Sequence, residues 1–438
     1  MSELPQGWSQ STLAEVAKDI SYGFTTSAAD SEENPKLLRI TDVQDYSVEW
    51  SDVPFCKDAP PEDKLLSSGD IVIARTGATT GKSYLLSEIP TATAFASYLI
   101  RVRSSDAVDP EYLWKFMWSP DYWRQITVVS KGTAQPGANA SILGGLELPI
   151  PPLPEQRRIV AKLDRLSARS AAARDHLART TKLATRAKQA ILSSAFDPAL
   201  HEVVVQVSEI AERVTKGASP KWQGFDYQPE GILFVRSQNV GWGSLLLDEK
   251  AFLDEGFNAK QKNSVIQQDD VLLNIVGASI GRTAVATAEI QGANCNQAVA
   301  VIRLLAPNRI DSRFLNLWLQ SPAAQDLITD GSVDVARANF SLASIKALAL
   351  PWPKQSERSE IVRRIEAAFA RIDRLTEEAS RAAHLLDRLD ERLLAKAFRG
   401  ELVPQDPEDE PAEALLARIR QSRASAPKAK RGRKKVQA

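Results

Sequence analysis

The sequence is short of almost everything that marks a self-sufficient enzyme. It holds two cysteines in 438 residues, Cys56 and Cys295, in unrelated surroundings. Neither a zinc cluster nor a paired redox motif can be built from them. No disulfide is expected, which suits a reducing compartment. The three histidines, His176, His201 and His384, are isolated from one another and leave no metal set. Lys+Arg and Asp+Glu each number 55, so the net charge is zero and no global basic field announces a polyanion. Local patches still act within a Debye length, so nucleic acid is not excluded. No apolar run approaches a bilayer span, and the start MSELPQGWSQ lacks the charged-then-apolar order of a secretion signal. A cytoplasmic location is expected.

Three fragments resemble chemistry that their spacing refuses. Gly77 to Ser83, GATTGKS, looks like a phosphate-binding loop, but that loop needs four residues between its glycines and here there are three. Glu62-Asp63-Lys64 supplies half of a metal-dependent nuclease pattern with no upstream aspartate placed to complete it. Asn34-Pro35 is followed by Lys36, not by the proline and aromatic of an amino-methyltransferase pocket. No catalytic residue and no metal site is expected in this chain.

What is present is a repeat. A proline-punctuated lead-in to a long helix occurs at Leu148 (LPIPPLPEQRRIVAKLD) and again at Leu350 (LPWPKQSERSEIVRRIE), and the offset holds without a gap to SAFDPAL and KAFRGEL. Apolar or small residues recur at alternating spacings of four and three, the seam of a coiled coil. The first seam contains Ile159, Leu163, Leu166, Leu177 and Ile191; the second contains Ile361, Ile365, Leu375, Leu386, Leu389 and Leu393. Antiparallel pairing with Ile159 opposite Leu393 sets Leu163 against Leu389, Leu166 against Leu386, Leu177 against Leu375 and Ser170 against Ala382. The paired helices would then form a spacer rod roughly 60 Å long.

Two globules precede the two helices. Landmarks of the first return in order in the second: a strand at Ile71 to Ala74 and one at Val271 to Asn274, glycine turns at Gly77 to Gly81 and Gly277 to Gly281, and aromatic helices ending at Ser119-Pro120 and Ser321-Pro322. The expected fold is therefore α+β, with globules at 1–150 and 198–349, a central helix at 151–197 and a distal helix at 350–402. Residues 403–438, acidic and then basic, are expected to be largely disordered, apart from a short helix over Ala412 to Ile419.

The polar residues on the repeated loops suit duplex recognition. The first globule offers Arg39, Thr41, Arg75, Thr79, Thr80, Lys82, Lys131, Gln135 and Asn139. The second offers Lys216, Arg236, Gln238, Asn239, Asn274, Ser279, Arg282, Arg337 and Asn339. Arginine and lysine neutralise phosphates or grip guanine, while asparagine and glutamine read adenine.

With these features the chain resembles the specificity subunit of a type I restriction-modification system. The resemblance rests on two globules each followed by a long helix, on Leu148-Pro149-Ile150-Pro151-Pro152-Leu153-Pro154-Glu155-Gln156, on Ser68-Gly69-Asp70-Ile71 with Thr76-Gly77-Ala78-Thr79, and on Ala195-Phe196 and Ala397-Phe398-Arg399-Gly400-Glu401-Leu402. The second lead-in departs from the pattern, with Gln355-Ser356-Glu357-Arg358 in place of Leu-Pro-Glu-Gln. The resemblance implies two target-recognition domains that read a bipartite, asymmetric double-stranded DNA site for DNA methylation and restriction. It also implies two methyltransferase subunits using S-adenosylmethionine, and motor-nuclease subunits using ATP and Mg. The rival readings are a coiled-coil adaptor that binds only protein and an enzyme whose site is hidden.

Overall fold

The computed structural model describes residues 4–44, 47–131, 137–331 and 339–425. It divides into two units, one formed by residues 1–176 with 382–438 and the other by residues 177–381. In the first unit, Ser9–Thr12 pairs antiparallel with Glu147–Ile150, so the start and end of the globule are zipped together. Its main sheet is antiparallel, in the order Ala17–Tyr22, Leu99–Ser104, Asp70–Ala74, Ser83–Leu85. Side chains alternate across a strand. Accordingly Ile71, Ile73, Ile100 and Val102 join one core with Tyr112 and Phe116, while Val72, Ala74 and Leu99 join another with Leu38 and Phe95.

The second unit repeats this sheet in the same order, with Ala211–Lys216, Val299–Leu304, Val271–Asn274 and Thr283–Val285. Its two faces divide in the same way: Val271, Leu273, Ala300 and Ile302 lie on one side and Leu272, Val299 and Val301 on the other. Each Ser-Pro pair both ends one helix and starts the next. Ser119 Oγ accepts from Tyr122 N and Ser321 Oγ accepts from Ala324 N, the side-chain capping that an N-terminal turn requires.

The long helices run Leu153–Ala195 and Gln355–Ala397, 43 residues each. Within each unit the two run antiparallel. In the first, Ser170 Oγ donates to Asp390 (2.8 Å) and Arg174 pairs with Asp387 and Asp390. In the second, Lys188 pairs with Asp373, and Leu192 and Phe196 share a core with Val362 and Ile365. The direction agrees with the seam reading; the register does not. Ser170, expected opposite Ala382, instead bonds Asp390, about one heptad further along.

The face turned inward also differs in part, at Leu375 and Leu389. On the distal helix the buried and half-buried positions include Ile361, Val362, Ile365, Ala368, Phe369, Ile372, Thr376, Ala379, Ala382, Ala383, Leu386, Asp390, Leu393, Leu394 and Ala397. Of the expected seam, Ile159, Leu163 and Ile365 are buried, and Leu166, Leu177, Ile191, Ile361, Leu386 and Leu393 are half-buried. Leu375 and Leu389 are 57% and 46% exposed. The helix ends explain the change. Phe398 is seated edge-on against Tyr112 and Phe116, and Phe196 against Phe314. These sockets belong to the globules, so they set the rotation and register of each helix independently of its own periodicity. Leu389→Asp is therefore expected to change stability by about 0.5 kcal/mol or less. Ile365→Asp, at a 2% exposed position, should cost on the order of 3 kcal/mol or more. Thermal melts of the two variants check the assignment.

The lead-ins are structural. Gln156 is wholly buried; its Nε2 donates to the carbonyls of Ala107 and Pro151 (both 3.0 Å), and its Oε1 accepts from Asp109 N (2.8 Å). Arg358 stands in the matching place, donates to Asp311 (2.7 Å) and to the Pro353 carbonyl, and lies 4.2 Å over Trp352. The departure from Leu-Pro-Glu-Gln thus keeps the joint and changes its chemistry. Glu155 is also buried and accepts from Trp8 Nε1 (3.0 Å); burial raises its pKa.

The expectation of a largely disordered tail fails for residues 403–425. A helix spans Ala412–Ser425, longer than expected, and Ala412 and Leu416 enter the first unit's core. Arg158 pairs with Asp409, and Arg423 donates to the carbonyls of Ala14 and Ala17. The acidic composition points to solvent, but Asp409 and Glu413 have partners on the globule and Ala412 and Leu416 enter its core. Residues 426–438 lie outside the described residues.

Candidate nucleic-acid interface

Each main sheet ends in the same glycine turn. After Ala74 the chain forms a short 3-10 turn over Gly77–Thr79 and comes back through Gly81, whose N–H donates to the Ala74 carbonyl (2.8 Å). In the second unit, Gly277–Ser279 and Gly281 do the same against Asn274 (2.9 Å). Gly77, Gly81, Gly277 and Gly281 all have φ between +74° and +91°, the region that glycine enters without steric penalty. A Cβ on Gly81 would also stand 2.9 Å from Ile126, and one on Gly281 2.2 Å from Gln325. The N–H groups of Thr80, Gly81 and Lys82 bond to carbonyls within the hairpin. They are spent on the turn rather than offered to a phosphate, so no nucleotide cradle exists there.

Around the first turn, Arg75 lies 5.1 Å from the ring of Tyr22 and 5.9 Å from that of Tyr98. Both tyrosines are exposed and the arginine is half-buried. A guanidinium held between aromatic rings is a pre-organised, weakly hydrated cation. Thr79 and Thr80 return their hydroxyls to the carbonyls of Thr76 and Gly77. Lys82 is half-buried at the end of the turn. Asn139 caps the helix Ala140–Gly144 by accepting from Ile142 N, which spends its oxygen on the fold.

The second turn has different neighbours. Strand pairing aligns Lys216 with Ala300 as it aligns Tyr22 with Ile100, so a lysine replaces a tyrosine. Ile275 donates and accepts where Arg75 does: its carbonyl takes Phe340 N as the Arg75 carbonyl takes Ala138 N. Lys216 and Asn339 are exposed, while Ser279 and Arg282 are half-buried.

Other proposed readers are brought elsewhere. Arg39 is locked to Asp42 through Nε (3.1 Å) and Nη2 (2.8 Å), a bond that raises its pKa, and Thr41 also donates to Asp42. Arg236 donates to the Glu249 carbonyl and Gln238 to the Glu249 carboxylate. Asn239 and Asn274 must be removed as DNA readers. Asn239 is 3% exposed and donates to the carbonyls of Leu246 and Glu249, while Asn274 is fully buried and donates to Ser237. Lys131 closes the helix Pro120–Lys131, and its side chain lies outside the described residues. Gln135 and Arg337 also lie outside them. Tyr22 and Tyr98 were missed by sequence reasoning, although each stands at the end of a core strand beside the turn.

Among the described residues no group of acidic, histidine and cysteine side chains could hold a metal. Burial pushes the Cys56 thiol up to about 11 and the Cys295 thiol up to about 12, so neither is a ready nucleophile. Among the described residues, no helix is long and apolar enough to cross a membrane.

The family model of the type I restriction modification DNA specificity domain matches residues 5–177 and again residues 203–382. The chain is 28% identical to the type I restriction enzyme EcoBI specificity subunit of Escherichia coli, over 76% of this chain and 77% of that protein. It is 26% identical to the StySPI specificity subunit of Salmonella potsdam, over 99% of both. A solved chain from work on complex assembly and conformational transition of the type I R-M system superposes with TM-score 0.72 at 21% identity, covering 92% of this chain and 100% of that one. At that identity the likeness carries the fold.

Proposed function

Because this chain belongs to the type I restriction-modification DNA specificity family and carries the domain twice, we propose that it reads two unlike parts of one duplex, one with each glycine-turn face. Sequence recognition of DNA is its role. Specificity subunits of such systems work with DNA and with methyltransferase and restriction subunits. For this chain the proposed partners are two methyltransferase subunits, joined by motor-nuclease subunits for cleavage. S-adenosylmethionine, ATP and Mg would sit on those partners, and this chain would perform no chemistry.

The observation behind the bipartite reading is the contrast between two turns of the same backbone. One is flanked by Arg75 between Tyr22 and Tyr98, the other by Ile275 and Lys216. A shared scaffold with unlike side chains presents unlike hydrogen-bond patterns to the base edges. Exchanging residues 198–349 for the corresponding stretch of a relative should change one half of the methylated sequence and leave the other. A change in both halves, or a continuous palindromic site, would sink the reading.

Lys82 and Arg282 follow the two turns and are proposed to face phosphate. Lys82→Ala and Arg282→Ala should each weaken binding about equally on all sequences and reduce the slope of log affinity against log salt by about 1. Titrations of the assembled complex at several salt concentrations measure this. An unchanged slope in both variants returns these residues to a structural role.

A further inference from the structure

The two units differ most visibly just beyond the strand that carries Tyr22 in one and Lys216 in the other. Gly23 and Gly217 follow those residues, and each passes so close to the neighbouring strand that a Cβ would stand 2.2 Å from the Ala96 carbonyl oxygen or 1.7 Å from that of Cys295. Further on, equivalent pairings place Ala29 opposite Phe55 in the first unit and Gln228 opposite Phe252 in the second. Six positions separate Gly23 from Ala29 and eleven separate Gly217 from Gln228. The additional residues build a helical turn, Pro220–Gln223, that the first unit lacks.

This loop is firmly held. Pro220 is buried at its first position, and Gly224 closes it with φ +83°. Phe225 packs edge-on against the buried Phe257 at 5.3 Å, and Lys260 Nζ donates to the Gln223 carbonyl (2.9 Å). Yet the residue it displays, Trp222, is 86% exposed, more than any other large hydrophobic side chain among the described residues. Single exposed apolar residues are ordinary. A tryptophan presented to water by a rigid loop is different, because its large ring binds at little entropic cost.

We propose that Trp222 is a specificity-determining residue of the second unit, its indole contacting bases or sugars of the duplex while Lys216 and Lys221 contact phosphates. This rests on the DNA-reading role above. Two features favour DNA over a protein partner. Lys216 and Lys221 are exposed on the loop and its supporting strand, against one carboxylate, Asp226, before Gln228. The loop also leaves the sheet at the same end as the glycine turn, two strands away: Lys216 pairs with Ala300, which pairs with Leu273. Two strand spacings, about 10 Å, separate those positions.

The test uses the chain assembled with its methyltransferase subunits, the methylated sequence as cognate duplex and a scrambled duplex as control. Trp222→Ala should weaken cognate binding by about fivefold or more, leave scrambled binding and the melting temperature unchanged, and be largely rescued by Trp222→Phe. The Lys216→Ala/Lys221→Ala variant should weaken both duplexes alike with a shallower salt dependence. Normal cognate affinity in Trp222→Ala, equal loss on both duplexes, or loss of methyltransferase assembly overturns the proposal. A wild-type complex without preference for the cognate duplex overturns the recognition reading itself, and this proposal with it.

Discussion

Phe398→Ala is expected to destabilise the first unit by about 3–5 kcal/mol. Phe398 is 3% exposed and lies edge-on to Tyr112 at 5.3 Å and Phe116 at 5.4 Å, in a core that also holds Ile159, Leu163 and Ala397. Truncation leaves a cavity where the end of the distal helix meets the globule. Because the socket holds the helix register, loosening it should weaken the Ser170 and Arg174 contacts as well. Calorimetry of the full chain should show the loss, with Leu385→Ala, at a 63% exposed position, as the neutral control. Equal melting temperatures for Phe398→Ala and wild type would mean that the socket does not hold the helix.

The second large effect concerns an ion pair present in both units at different depths. Arg303 reaches Asp270 through Nε (2.8 Å) and Nη2 (2.7 Å), and both side chains are under 10% exposed. The hydrogen bond to Asp270 raises the pKa of Arg303. Asp270→Ala would leave a buried guanidinium without its counter-charge, and about 3–5 kcal/mol should be lost. In the first unit Arg103 makes the same fork to Asp70, but its side chain is 36% exposed. Water can solvate it after Asp70→Ala, so the loss there should be clearly smaller. Denaturant unfolding of the two variants compares them directly, and equal losses would show that depth does not decide the cost.

Sequence by itself determined the parts whose causes are local. The repeat, the apolar strands, the glycine turns and the Ser-Pro junctions were legible because each depends on neighbouring residues: an alternating pattern, a positive φ, a cap. The coiled-coil direction was also legible, from the two seams taken together. Tertiary structure decided the rest. Phe196 and Phe398 seat in sockets built by residues far away in the chain, and those sockets turn Leu375 and Leu389 outward and place Asp390 inward. A heptad shift leaves the 3.5-residue period unchanged, so periodicity alone could not have detected it. The same holds for the recognition residues. Asn239 and Asn274 have the chemistry to read adenine, but the fold buries them and uses their amides on nearby carbonyls. Tyr22 and Tyr98 come to flank Arg75 only when two strands separated by most of the globule pair with one another through the sheet. Residue type limits what a side chain can bind, whereas packing decides whether it faces solvent, and packing depends on contacts between distant parts of the chain.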